Sequence, residues 1–250
     1  MKYTEKIILN WHDTDASRIV RAGRILTYLQ ELANRQCENC GLPLEKLRDE
    51  KGLGFILGSL SMKILKPLYA YEEIELSTWC KPTKGYTFCR YFEAKRNGEI
   101  VVKASTVWVL LDINQKNMVR ASAVPYLDEC FYYDEPIGDS EVPPRARISK
   151  DAELFEVGSR KIVYSDVDYN MHMNNTHYPD MLCDFLDEMT NGSKTFRIAS
   201  MALSYLKESP LGATLTVFRS ALSQDNLVQM QTKNSLGEVC LEASVELEEI

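Results

Sequence analysis

Two stretches of the chain space their apolar residues by three and four. Ile25, Tyr28, Leu29, Leu32 and Gln36 mark the first, and this spacing puts a mostly apolar stripe on one face of a helix. That helix is predicted to stop near Gly41, with Pro43 beyond it to prevent continuation. Tyr178, Met181, Leu182, Phe185, Leu186 and Met189 mark the second helix. Asn174 or Asn175 can cap its start through a side-chain oxygen. Pro179 fits a first turn, where a missing N–H has no partner to lose, and Asn191-Gly192 is predicted to end the helix.

Period-two runs follow each helix. Val239, Leu241, Ala243, Val245 and Leu247 alternate with Cys240, Glu242, Ser244, Glu246 and Glu248, which predicts a strand with one buried face and one mostly wet face. Ile74-Glu75-Leu76-Ser77 and Thr214-Leu215-Thr216-Val217 behave the same way. Asn97-Gly98 and Leu236-Gly237 each separate two such runs, where glycine supplies the positive φ of a tight hairpin.

The chain reads as one unit written twice. Asp13-Thr14-Asp15 precedes the first helix and Asp166-Val167-Asp168 the second. Gly98-Glu99-Ile100-Val101-Val102-Lys103-Ala104-Ser105 is echoed by Gly237-Glu238-Val239-Cys240-Leu241-Glu242-Ala243-Ser244. An N-terminal unit is expected over residues 1–121 and a C-terminal unit over residues 157–250. The intervening residues 122–156, with Pro125, Pro136, Pro143 and Pro144, are predicted to be a crossing linker. A helix wrapped by an antiparallel sheet is the α+β hotdog arrangement, and other α+β arrangements share its element order. One such unit leaves exposed sheet edges, so two in tandem are expected to pair within the chain. Further assembly into a homodimer stays open.

Composition narrows the partners. Of 250 residues, 45% are hydrophobic and 26% charged, ordinary for a globular protein with a sizeable core. The net charge of −7 argues against nucleic acid or an anionic membrane as the main partner. Arg145, Arg147, Lys150, Arg160 and Lys161 form the most obvious local basic run. The N-terminus mixes Lys2, Glu5 and Lys6 with apolar residues and lacks the look of a secretory signal, so a cytoplasmic location is expected. Seven cysteines, an odd count that includes Cys130, are read as free thiols. Cys37-x-x-Cys40 has the spacing of half a zinc site, yet no second pair accompanies it and it falls within the first helical pattern, so neither a metal nor a cofactor is implied.

The chemistry sits in one copy. Asp168, Asn170 and His172 alternate ahead of the second helix; on an extended path all three would line one wall. Imidazole exchanges a proton near neutral pH, and the amide both donates and accepts. The bland alternative is that they are turn and capping residues. In the first copy, however, Ser17 stands opposite Asn170 and Ile19 opposite His172, and a purely structural need would retain similar residues in both. Likewise Glu208 and Ser209 face Pro67 and Leu68 of the first copy. A glutamate at a strand end can activate water when it lies within reach of it.

The segment Asp166-Val167-Asp168-Tyr169-Asn170-Met171-His172-Met173-Asn174-Asn175-Thr176-His177-Tyr178 resembles the D-x-D-x-N-x-H-x-N-N-x-x-Y signature of acyl–acyl carrier protein thioesterases. Gly23-Arg24, Thr78-Trp79, Ala104-Ser105-Thr106-Val107-Trp108 and Leu111-Asp112 are also similar to bacterial members, and the likeness covers nearly the whole chain. It implies a double hotdog that hydrolyses the thioester between a fatty acyl chain and the phosphopantetheine arm of acyl carrier protein. By position, it makes Asp168, Asn170, His172 and Glu208 the catalytic group. Asn174, Asn175 and Ser209 become substrate-binding candidates beside them. Many plant members carry cysteine after the glutamate; Ser209 here favours attack by water over a thiol mechanism. Backbone N–H groups at the start of the second helix are candidate oxyanion donors. The first unit is expected to form an apolar tunnel for the acyl chain, with Leu29, Leu32, Phe55, Ile56, Leu57 and Leu60 as candidate lining. An acyl-CoA thioesterase, a hotdog hydratase or dehydratase and a non-enzymatic acyl-binding module are the alternatives. The basic run before the catalytic segment is the leading candidate for docking an acidic carrier, with Arg18, Arg21 and Arg24 second.

Overall fold

Alternating apolar residues build most of the molecule into one antiparallel sheet. The computed structural model describes residues 2–81, 85–124, 144–149, 151–190 and 195–250. Expectations that fall on Pro125, Cys130, Pro136, Pro143, Lys150, Asn191 and Gly192 lie outside the described residues. The first half runs β1 (Tyr3–Ile8), α1 (Ala22–Asn39), α2 (Leu44–Lys51), β2 (Leu53–Ile64), β3 (Glu73–Cys80), β4 (Thr87–Arg96), β5 (Glu99–Asp112) and the short β6 (Asn117–Met118). The second runs β7 (Phe155–Lys161), α3 (Tyr178–Cys183), α4 (Asp187–Thr190), β8 (Phe196–Tyr205), β9 (Thr214–Arg219), β10 (Leu227–Lys233) and β11 (Val239–Glu249).

The strand order β1-β3-β4-β5-β2-β8-β11-β10-β9-β7 is a mirrored pair, with β6 alongside β5. Each half contributes the same five-strand sequence, and the halves meet where β2 pairs antiparallel with β8 from Ser59↔Ser204 to Lys63↔Ser200. Two edges that would otherwise be open templates close on each other there. The hairpin turns are as expected: Asn97 and Gly98 both take positive φ between β4 and β5, and Gly237 does so before β11.

One core runs through the junction. Ile25, Leu26, Leu29 and Leu32 of α1 pack with Met62 of β2, Met201 and Leu203 of β8, and Met181 and Leu182 of α3. Helices from the two halves approach closely at Gly23, where a Cβ would come within 2.6 Å of Asp180 Oδ1 and 2.7 Å of the Thr176 carbonyl oxygen. The Gly23 N–H donates to that same carboxylate at 2.9 Å. Only glycine lets α1 start against the other half at this distance.

The second helix differs from its predicted form. Its apolar positions are packed, but the helix breaks after Cys183 into a six-residue and a four-residue piece. The Phe185 and Leu186 N–H groups bond three residues back, to Leu182 and Cys183, which tightens the path. Arg160 of β7 meanwhile holds Asp184 at 3.3 Å. Apolar spacing reports which residues face the core; it does not report where the backbone ladder is interrupted. The sequence reading also missed α2, whose apolar signal is only Leu44 and Leu47 and whose end is the left-handed Gly52.

Candidate active site

Both halves enter their first helix through the same loop. In the first, buried Asp13 accepts hydrogen bonds from Arg24 Nε (2.8 Å), Asn10 (3.2 Å) and Tyr28. Burial alone would raise its pKa, but the hydrogen bonds from Tyr28, Arg24 and Asn10 outweigh it and hold the carboxyl below its ordinary range. In the second, buried Asp166 accepts from Arg160 (2.6 Å) and from the Val163 N–H (2.9 Å). The turn that follows also repeats. The Asp15 N–H donates to the Ile19 carbonyl at 2.8 Å and the Asp168 N–H to the His172 carbonyl at 3.1 Å. Asp15 Oδ1 accepts the Ser17 N–H and Asp168 Oδ1 the Asn170 N–H, both at 2.8 Å. Arg18 and Met171 take the matching positive φ of 66° and 63°.

Asp168 therefore faces into its own turn. The extended wall expected of Asp168, Asn170 and His172 is replaced by a tight loop, because the aspartate closes on the backbone two residues ahead and Met171 reverses the chain. It closes the turn that holds Asn170 and His172, as Asp15 closes the turn that holds Ser17 and Ile19.

The loop is zipped to the segment after β8. The Met173 N–H donates to the Ser209 carbonyl (2.8 Å), the Leu211 N–H to the Met171 carbonyl (3.0 Å), and His172 bridges Pro210. This brings His172 Nδ1 to 3.4 Å from Glu208 Oε2. The side chains are 33% and 59% exposed, so water reaches both. In the first half the Val20 N–H makes the same bond to the Leu68 carbonyl (2.8 Å) and Ile19 bridges Tyr69. The matched frame thus holds Ile19 and Pro67 where the second half holds His172 and Glu208.

Asn170 is exposed, and its Oδ1 accepts from Arg48 of α2 at 2.7 Å. The same guanidinium lies 4.7 Å from the ring centre of Tyr169. Asn175 Oδ1 accepts from Gln30 of α1 at 2.7 Å. The candidate residues thus lie where the halves meet, with side chains of the first half reaching into the loop of the second.

Three residues expected to contact substrate have hydrogen-bond partners within the protein. Asn174 Oδ1 accepts the Thr176 N–H and hydroxyl, both at 2.9 Å, as the cap of the helical turn. Asn175 is engaged by Gln30 and, through its carbonyl, by the Tyr205 hydroxyl at 2.9 Å. Ser209 is 1% exposed and its hydroxyl accepts from Tyr178 at 2.8 Å. Successive residues of an extended segment point to opposite sides, so Glu208 faces water and Ser209 the core. Burial pushes Tyr178 up to about 12 and raises Cys240, which also bonds Ser209. The hydrogen-bond partners of the Ser209 hydroxyl are thus Tyr178 and Cys240, not a carboxylate or imidazole that could serve as its base. Two of the helix-start amides have acceptors within the loop: Thr176 donates to the Asn174 side chain and His177 to the Asn174 carbonyl at 3.0 Å.

An apolar pocket opens in the first half. It is lined by Ala33 and Cys37 of α1, Leu44 of α2, Phe55, Phe88 and Trp108 among others, and encloses about 460 Å³ counting the part open to solvent. Phe55 lines it as expected. Leu29, Leu32 and Leu60 instead belong to the main core, Leu57 is buried outside the pocket wall, and Ile56 is 38% exposed. Alternation along β2 turns Ile56 to the face opposite Phe55.

Two described members of the basic run are engaged within the protein. Arg160 pairs with Asp166 and Asp184, while Arg145 bonds Ser204 Oγ at 3.1 Å. Arg147 and Lys161 are exposed. Arg24 is committed to Asp13, and Arg21 lies 3.7 Å from Asp180.

Comparison with known proteins places the chain in a family. The acyl-ACP thioesterase N-terminal domain matches residues 1–125 and the acyl-ACP thioesterase C-terminal domain residues 149–249. The chain belongs to the acyl-ACP thioesterase family. Its fold is similar to that of an acyl-ACP thioesterase from Bacteroides thetaiotaomicron, at 22% identity and a TM-score of 0.85 over 99% of this chain and 98% of that one. It is also similar to a 12:0-ACP thioesterase from Umbellularia californica, at 14% identity and a TM-score of 0.84 over 100% and 98%. No curated protein sequence matches it. The double hotdog is therefore the fold of this acyl-ACP thioesterase, and its reaction is hydrolysis of a fatty acyl-ACP thioester. No described helix is long and apolar enough to cross a membrane.

Proposed function

We propose that the second half carries the catalytic site and that the first half holds the acyl chain. In this reading residues 157–250 are the catalytic unit, residues 1–121 the acyl-binding unit and residues 122–156 the connection. The observation that carries it is the His172–Glu208 pair at 3.4 Å, set in a loop whose counterpart holds Ile19 and Pro67 in the same frame.

Glu208 takes a proton from water as the water oxygen attacks the thioester carbonyl carbon. Asn170 donates to the carbonyl oxygen as negative charge develops on it. The carbon–sulfur bond then breaks, and the departing thiolate takes a proton from His172. Return of the proton from Glu208 to His172 across their contact restores the pair, with a free fatty acid and the carrier's thiol as products. Asp168 serves by holding the turn. The pocket beside Phe55 is apolar, as a fatty tail requires. A cytoplasmic setting belongs to the same proposal, supported by the free thiols of Cys80, Cys89, Cys183 and Cys240 among the described residues.

Hydrolysis measured on acyl-ACP and acyl-CoA substrates of varied chain length tests this reading. Release of free acid from the carrier-bound series, with higher kcat/KM than from CoA, is expected. Loss of water from a β-hydroxyacyl substrate with the thioester intact would replace hydrolysis by hydratase chemistry.

A further inference from the structure

We infer that Arg48, on α2 of the non-catalytic half, is the positioning residue that fixes which way the Asn170 amide points. The inference rests on the proposed role of Asn170 as donor to the thioester carbonyl. A guanidinium has only N–H donors, so the amide atom 2.7 Å from Arg48 must be the carbonyl oxygen Oδ1. The Nδ2 group then points away from Arg48 with both of its hydrogens available. Left to itself, an exposed asparagine at the tip of a turn would sample both amide orientations, and one of them would aim a lone pair at the substrate oxygen.

The geometry holds Arg48 to this task from three sides. Leu47, 2% exposed, anchors α2 in the apolar cluster with Cys37, Phe88 and Leu110. Gly52 closes the helix by donating its N–H to the Arg48 and Leu47 carbonyls. The guanidinium itself is stacked 4.7 Å over the ring of Tyr169, the residue before Asn170. A charged donor on Oδ1 also polarises the amide and strengthens its N–H groups as donors. In addition, Leu44 lines the apolar pocket and stands one helical turn before Arg48 on the same face. One short helix thus joins the wall of the pocket to the orientation of Asn170.

Arg48 touches neither the reacting carbon nor the water in this scheme, so its loss should act through Asn170 alone. A double-mutant cycle tests this, with steady-state kinetics on a fatty acyl-ACP that the parent enzyme turns over. Arg48→Met is expected to lower kcat about tenfold or more while KM stays within about twofold, as for a contact that matters only in the transition state. Arg48→Lys, which keeps one charged donor, should recover part of the loss. In an Asn170→Ala background, Arg48→Met should cost less than about twofold, because nothing is left to orient. Losses that multiply in the double variant, or a raised KM with kcat unchanged, would overturn the inference and make Arg48 an independent contact for the substrate or its carrier. Should Arg48→Met fold poorly, Arg48→Gln, which keeps an amide donor, enters the same cycle. A near-parental kcat for Asn170→Ala would instead remove the catalytic reading of Asn170 itself.

Discussion

Residues 13–20 and 166–173 are two castings of one loop, and in the proposed function only the second carries chemistry. Both bury an aspartate against an arginine, both close a turn with a second aspartate, and both cross into left-handed backbone at the fourth residue of that turn. Both are then stitched to the segment that follows the strand by which their half pairs with the other, β2 in the first and β8 in the second. The frame places a side chain beside a strand end in each copy. In one copy those side chains are Ile19 and Pro67, and in the other they are His172 and Glu208. Scaffold and chemistry are therefore separable in this protein. In the proposed function the four aspartates of the two loops hold the frame, and the proposed reacting groups are what it presents.

The sharpest break between the copies should be catalytic. Glu208→Gln removes the base at nearly constant volume and is expected to lower turnover by about a hundred- to ten-thousandfold. Its thermal midpoint should stay parental, because the side chain is more than half exposed. Ser209→Ala, one residue on, should retain most hydrolysis and show its effect in stability, through the lost Tyr178 bond. Comparable losses of turnover in the two variants, or an acyl adduct trapped on Ser209, would sink attack by water.

A paired substitution then asks how much of each loop is scaffold. Asp15→Ala and Asp168→Ala remove the same turn bonds and should lower stability by similar amounts, about 0.5–2 kcal/mol each by analogy with a lost cap. Only Asp168→Ala should also reduce turnover, by roughly tenfold, because its turn sets Asn170 and His172. An Asp15→Ala enzyme of normal stability and badly reduced turnover would mean that the first loop takes part in the chemistry.

The smallest effect concerns acid. Asp13 is held below the ordinary carboxylate range, so it contributes stability above the unfolded pKa and loses it as pH falls through the folded value. Asp13→Asn should therefore cost on the order of 1 kcal/mol at neutral pH. The deficit relative to the parent should fade below about pH 4, where unfolded aspartate protonates. Thermal melts across pH read this directly, and a deficit that grows in acid would contradict it.

Much of this was legible before any tertiary structure, because it is local or periodic. Alternation along residues 239–248 marked β11, and Gly98 and Gly237 marked their hairpins. The spacing of Ile25, Leu29 and Leu32 marked α1, and the unequal repeat marked Asn170, His172 and Glu208. Cap and turn roles for Asn174 and Asp168 were available as the bland reading, since such bonds reach only two residues ahead. The interruption of the second helix was not available, because Phe185 and Leu186 keep their apolar spacing through it while Asp184 answers to Arg160, a residue of another element.

Sequence alone determined the doubled element order and the side chains in which the copies differ, for period and short-range hydrogen bonding are written residue by residue. Tertiary structure alone decided which of those side chains meet. Glu208 comes to His172 only because the loop is zipped to the strand end, and its neighbour Ser209 is lost to the core by the same alternation. Arg48 comes to Asn170 only because β2 and β8 pair and bring α2 of one half over the turn of the other. Contacts between residues so far apart in the chain depend on how strands register and helices pack, and no pattern within either segment encodes them.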